Sequence, residues 1–365
     1  MATINFPRLG APSIHESLTA PSREDETPDQ AMLRDQLADV YSNCSREAIA
    51  AAVLAPSAGL LACARAGPSS VTPQKSRLDS LLNEAWATYR LRDGSGNPIF
   101  DEYGRAVSVR VMPHFRMPRN SIPGAKAQEL MVSTLRKANA WPSDAAQSQR
   151  LSTAISHCAF GLATPAEVVS VTQRLIDIGC LPSGTTPEQR VRSLMWDYGI
   201  GIDCAAYTAQ AVARAAGTTP EALGIEVLTK GSMLIIAGNP AFRAVPFLSA
   251  TAGDVIQLDD RTGPIGHNVT VAERHLLSAN ELGALERNSE DWVGFLRTGP
   301  IHSFSVDSAW GAHGQRSSVG GGVGRRVWLY NEASAQWAEL GGHPQRISVT
   351  DGPYDHILVG TYRPR

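Results

Sequence analysis

The chain has 365 residues, of which 43% are hydrophobic, 19% charged and 6% aromatic. Thirty-three Lys and Arg against 35 Asp and Glu leave a formal charge of −2, which argues against a dedicated nucleic-acid binder. Thirty-two glycines and 23 prolines without a period argue against a fibrous protein, and an odd count of five cysteines argues against a disulfide-stapled scaffold.

In chain order, MATINFPRLG has no basic region leading into an apolar run, so it does not read as a secretory signal. A protein kept in the cytoplasm, or exported by a non-classical route, is the expectation. Residues 1–30 are rich in Pro, Ser, Thr and acids and predict a loosely attached arm. Ala-rich helices are expected to follow, over Asp29–Ala52 and on to Ala66, but Pro56, Gly59 and Arg65 interrupt that stretch too often for a membrane span. After a linker, a helix is predicted over Ser76–Tyr89, with Leu78, Leu81, Leu82 and Trp86 on one face. Turns at Asp93–Asn97 and Gly104, then alternation at Val107, Val109 and Val111, predict a small β-hairpin insert. Helices resume over residues 125–180, and the chain shows no internal repeat by eye.

Three helix starts carry a Thr cap followed by Pro, at Thr164-Pro165, Thr186-Pro187 and Thr219-Pro220. Past residue 224 the period becomes alternating. Strands are predicted at Ile225–Leu228, Met233–Ile236, Val255–Leu258, Asn268–Ala272, Ser303–Asp307, Arg326–Tyr330, Arg346–Val349 and Ile357–Tyr362. Helices first and strands afterwards indicate an α+β fold with an antiparallel sheet. The division expected is 1–75, an arm with Ala-rich helices; 76–185, mainly helical; and 186–365, a catalytic domain.

The segment GIGIDCAAYTAQAVARAAG, residues 199–217, carries the chemistry. Asp203 is a natural N-cap, Cys204 falls in the first helical turn and Gly217 is a terminator. Free backbone N–H groups and the helix dipole at that end favour thiolate, and the same groups suit an oxyanion. A thiol nucleophile needs a base and the base an orienting acceptor. His267 opens a strand after the turn at Arg261–Gly266, and Asp307 in SFSVDSAWG stands on a neighbouring strand.

"IDCAAY", "AGDVIQL" and "GHNVTVA" together resemble the NlpC-type papain-like cysteine peptidases, which hydrolyse peptide bonds in cell-wall peptidoglycan. The likeness covers about residues 186–365. It implies a helix-borne Cys204 packed on an antiparallel sheet, His267 as general base, Asp307 in the third polar position and no metal or organic cofactor. Ala205 and Ala206 stand where the family usually has Ser and Gly, and 273–302 is longer than the usual turn and predicts a helix. The implied activity is a thiol hydrolase acting on a peptidoglycan stem peptide or a protein substrate, with no nucleic-acid partner and no membrane span. Two alternatives remain: a papain-like deamidase, transglutaminase or acyltransferase acting on a protein, and a binding module with an inactive site.

The other cysteines, Cys44, Cys63, Cys158 and Cys180, read as ordinary thiols. The histidines lack zinc-ligand spacing, and the glycines at 320–324 read as a hairpin loop because they open no helix.

Overall fold

The computed structural model describes residues 72–116, 122–184, 186–225, 236, 238–260, 266–288, 293–310, 321–339, 347–348 and 356–365. The arm and Ala-rich helices before residue 72, with Cys44 and Cys63, lie outside the described residues. So do the turn at 261–265 and most of the strands expected at 225–228, 233–236 and 346–349.

Two compact units are present. The larger comprises Val71–His275, Ser303–Trp328 and Ile347–Arg365. It opens with α1 (Pro73–Ala85), whose cap Thr72 accepts from the Lys75 amide and which buries Leu78, Leu81 and Ala85. The helix stops four residues earlier than its apolar spacing predicts, because Thr88 and Tyr89 enter a strand, β1 (Ala87–Arg90). This pairs antiparallel with β2 (Ser108–Val111).

Between these strands the backbone closes a ring. Ile99 N–H donates to Leu91 O at 3.2 Å, Val107 N–H to Ile99 O at 2.8 Å and Leu91 N–H to Val107 O at 2.9 Å. Each turn of the ring is made by an aspartate whose Oδ1 accepts two amides, Asp93 from Ser95 and Asn97, Asp101 from Tyr103 and Arg105. LRDGSGNP and IFDEYGRA are therefore two copies of one octad, a repeat that sequence inspection passes over.

Four helices follow: α2 (Gly124–Lys137), α3 (Ala145–Phe160), α4 (Pro165–Asp177) and α5 (Pro187–Tyr198). Two of the Thr-Pro starts behave as expected, and Thr164 with Glu167 forms a full capping box. The third, at Thr219-Pro220, opens only a 3₁₀ turn, Glu221–Leu223. Helix α6 (Cys204–Ala216) completes the set.

No division falls at residue 185. Leu78, Met131, Ile155, Val171 and Leu175 share one core with Met195, Tyr207 and Ala211. The first helices cannot form a separate domain, since their apolar faces are buried against α5 and α6.

The sheet of this unit runs in the order β3 (Phe242–Val245), β10 (His356–Pro364), β4 (Val255–Asp260), β5 (His267–Leu276), β6 (Ile301–Trp310), β7 (Gly322–Asn331). β10 pairs antiparallel with β3 and β4, and β4 with β5. Gly253, at φ +91°, makes the turn into β4. The next residue, Asp254, is buried and held by Arg363 at 2.8 and 2.7 Å, so it serves the sheet.

The smaller unit lies within Leu276–His302 and Leu329–Arg346 among the described residues. The helix expected in the long insertion is present as α7 (Ala279–Asn288) and the short α8 (Val293–Leu296); the ends of β6 and β7 and strand β8 (Gln336–Glu339) belong here. Asn331 ties this unit together, donating to Phe295 O and Thr298 Oγ1, both at 2.6 Å. A two-residue strand, β9 (Ile347–Ser348), precedes β10.

Candidate functional site

Cys204 stands where the sequence puts it, at the first position of α6. The Asp203 side chain accepts from the Ala206 amide at 2.6 Å, and Gly217 at φ +73° ends the helix. The segment just before is held on both sides. Ile202 bridges Phe115 in parallel and Leu162 in antiparallel. Ile202 N–H donates to His114 O and Arg116 N–H to Ile202 O, both at 3.0 Å, while Asp203 N–H donates to Gly161 O at 2.7 Å.

Residues 112–116 are fastened in turn to α5. Arg192 donates from Nη1 to Met112 O at 3.0 Å. Burial pulls the His114 pKa down to about 3, so the ring is neutral. Its Nε2, 2.7 Å from Arg192 O, then carries the proton and Nδ1 faces Arg192 Nη2 at 3.2 Å as acceptor.

The thiol is not in the state that a helix N-terminus alone would give it. Burial pushes its pKa up to about 12, and the Asp203 charge adds to the rise. The amides of Asn268, Ala205 and Cys204 itself pull the other way without prevailing. Asp203 is perturbed too: burial raises its carboxyl to about 7, against the stabilising Ala206 and Ala205 amides. The expected thiolate is therefore corrected to a thiol at rest, because desolvation and a neighbouring carboxylate outweigh the dipole.

Strand alternation decides which side chains face that thiol. Val255 on β4 packs with Ala209, Val212 and Ala213 of α6. Its register partner on β5 is Thr270, and Gln257 is partnered with Asn268. Asn268, Thr270 and Ala272 thus lie on the α6 face, and all three are buried. Thr208, one turn beyond Cys204, donates from Oγ1 to Asn268 O at 3.0 Å.

His267 lies on the other face. It is paired with Leu258, out of step with Val255, and its ring packs 4.9 Å from that of Trp310. Trp310 in turn meets Trp328 at 5.8 Å and lies under the Arg326 guanidinium at 4.4 Å. The residue that β5 turns toward Cys204 is Asn268, and the expectation that His267 faces the sulfur is corrected accordingly.

Asp307 has another occupation. It is three positions from Trp310 on β6, hence on the α6 face, away from the His267 ring. Arg325 clasps its two oxygens from Nε at 2.7 Å and Nη2 at 2.8 Å, and reaches Asp79 of α1 from Nη1 at 2.6 Å. Burial alone lowers the Arg325 pKa, but the bonds to Asp307 and Asp79 reverse that and hold it well above its ordinary value. The role expected for Asp307 in orienting His267 is corrected to that of counter-ion to Arg325.

Asn268 and Thr208 are thus polar residues on the Cys204 side of the sheet and helix that the sequence did not single out, while Asp203 was marked only as the cap. Thr208 was within reach of a spacing argument, since Cys204 and Thr208 are four apart on one helix face.

A cleft of about 250 Å³ is lined by Leu81, Glu84, Thr164, Gln210 and Arg214, at the far end of α6 from Cys204. Among the described residues no group of His, Cys, Asp and Glu is arranged to hold a metal ion. None of their helices is long and apolar enough to cross a membrane. No known family model, curated protein or solved structure matches the chain.

Proposed function

We propose that the protein is a papain-like cysteine hydrolase that cleaves an amide bond, with a peptidoglycan stem peptide as substrate and Cys204 as nucleophile. The observation that carries this reading is the thiol of Cys204, a half-buried residue at the start of α6, with the Ala205 and Asn268 amides directed at it. Attack on a carbonyl would build negative charge beside those amides, where donors fixed in advance lower the barrier. His267 precedes Asn268 and is the imidazole assigned to take the thiol proton. To do so its ring has to leave Trp310 and come round the start of β5 to the α6 face.

A second reading is favoured by the thiol's high pKa together with Asn268 on the face where a base belongs. In it the domain binds a peptide and does not cut. Purified peptidoglycan incubated with the wild type, Cys204→Ala and Cys158→Ala separates the two. Hydrolysis expects muropeptides from the wild type and Cys158→Ala, and none from Cys204→Ala. Equal release by Cys204→Ala removes the nucleophile assignment; no release by any variant, with retention of the protein on the sacculus, selects the binding module.

A further inference from the structure

We propose that Thr208 and Ser308 are positioning residues for Cys204: their hydroxyls, one from α6 and one from β6, grip the backbone of Asn268 and hold the start of β5 against the thiol. Thr208 Oγ1 donates to Asn268 O at 3.0 Å, and Ser308 Oγ donates to the same oxygen at 2.8 Å. Thr208, Ser308 and Asn268 have no exposed surface, so both bonds are made out of reach of bulk water.

A threonine inside a helix ordinarily returns its hydroxyl to a carbonyl three or four residues back, here that of Ala205 or Cys204. A hydroxyl has one hydrogen to give. Thr208 gives it across the interface, and so ties the helix face that carries Cys204 to one residue of β5. Ser308 ties the same residue to β6, the neighbour of β5 in the sheet. The carbonyl oxygen offers two lone pairs, enough for both hydroxyls. One tie alone would fix Asn268 against a single element and leave it able to slide along the other. Two ties from different elements set its place in two directions.

The role in catalysis rests on the reading of Cys204 as nucleophile. Of the two amides directed at the sulfur, that of Ala205 belongs to α6 itself and is held by the helix. That of Asn268 comes from another element and needs an outside brace. A donor serves a developing oxyanion only when it is fixed beforehand where the charge will form. Thr208 and Ser308 supply that brace and act through Asn268.

The experiment compares full-length wild type with Thr208→Val, Ser308→Ala and Thr208→Ser, each shown to be folded by circular dichroism. Valine and alanine remove the hydroxyl with little change of shape, and serine at 208 restores it. On soluble peptidoglycan fragments, Thr208→Val and Ser308→Ala should each lower kcat on the order of 100-fold with KM within about twofold, since a donor displaced by about 1 Å costs that much. Thr208→Ser should recover most of the rate, which a loss due to helix packing would not do. Amide hydrogen exchange over residues 267–270, followed by mass spectrometry, should quicken in the two hydroxyl-free variants and not in Thr208→Ser, with α2 unchanged in all three. Wild-type kcat in both hydroxyl-free variants overturns the proposal, as does unchanged exchange over 267–270. A wild type that releases nothing removes the hydrolase reading instead, and exchange then decides by itself whether the two hydroxyls hold Asn268.

Discussion

Arg325 holds both carboxylate oxygens of Asp307, and Asp307 has no exposed surface. The pair belongs to the frame under α1, where Arg325 also reaches Asp79. Arg325→Met should lower stability by about 3–5 kcal/mol, because it leaves a buried carboxylate without its cation. Adding Asp307→Leu to that variant should recover most of the loss. Urea unfolding of the single and double variants checks this; equal stabilities would mean that the pair carries no buried charge.

The sign of the Asp203 effect on stability is fixed by its pKa of about 7 in the folded chain against an ordinary 3.8. The folded state holds this proton more tightly than the unfolded one, so the contribution favours folding at low pH. It is lost as pH rises from about 4 to about 7 and is constant above that. Asp203→Asn should remove this slope. Melting temperatures of wild type and variant, measured from pH 4 to 8, should converge at the acid end and favour the variant at the alkaline end.

Asn268 is the side chain that the sheet presents to Cys204, so Asn268→His would set an imidazole beside the thiol. Iodoacetamide labelling of Cys204 at pH 7 should rise on the order of tenfold, since a neighbouring imidazolium favours thiolate. An unchanged rate in a folded variant would show that Asn268 does not face the sulfur.

Gly161 ends α3 at φ +78°, and a Cβ there would lie 2.3 Å from Arg116 O, a backbone atom that cannot turn aside. Gly161→Ala should cost about 1–3 kcal/mol through the left-handed conformation and the displaced contact. Thermal unfolding measures it, and a melting point within error of wild type would contradict the packing described.

What could be read in the sequence followed from local rules. Asp203, Thr164 and Thr186 cap their helices because a capping side chain needs partners only two or three residues away. Strands β4–β7 and β10 were legible from alternation, as was the four-residue β2 through Val107, Val109 and Val111, whereas β3 and β8, of the same length, were not anticipated. The helix start at Cys204 was legible, and what surrounds it was not. Whether His267 or Asn268 faces α6 depends on the register of β5 against β4, and a shift of one residue exchanges the faces. That Asp307 is taken by Arg325 depends on a contact across two strands, and the chain between them carries no mark of it. The octads leave no clear mark in the sequence because the two copies share little beyond Asp and Gly, and the ring joining Leu91, Ile99 and Val107 is made by backbone.

Ile202 is bonded through its backbone to His114 and Arg116 and bridges Leu162, two residues before Cys204. The start of α6 is therefore anchored like a fixed jaw. Any opening around Cys204 has to come from the strand beside it, so exchanges that loosen its surroundings should map to the start of β5 and leave the approach to α6 untouched.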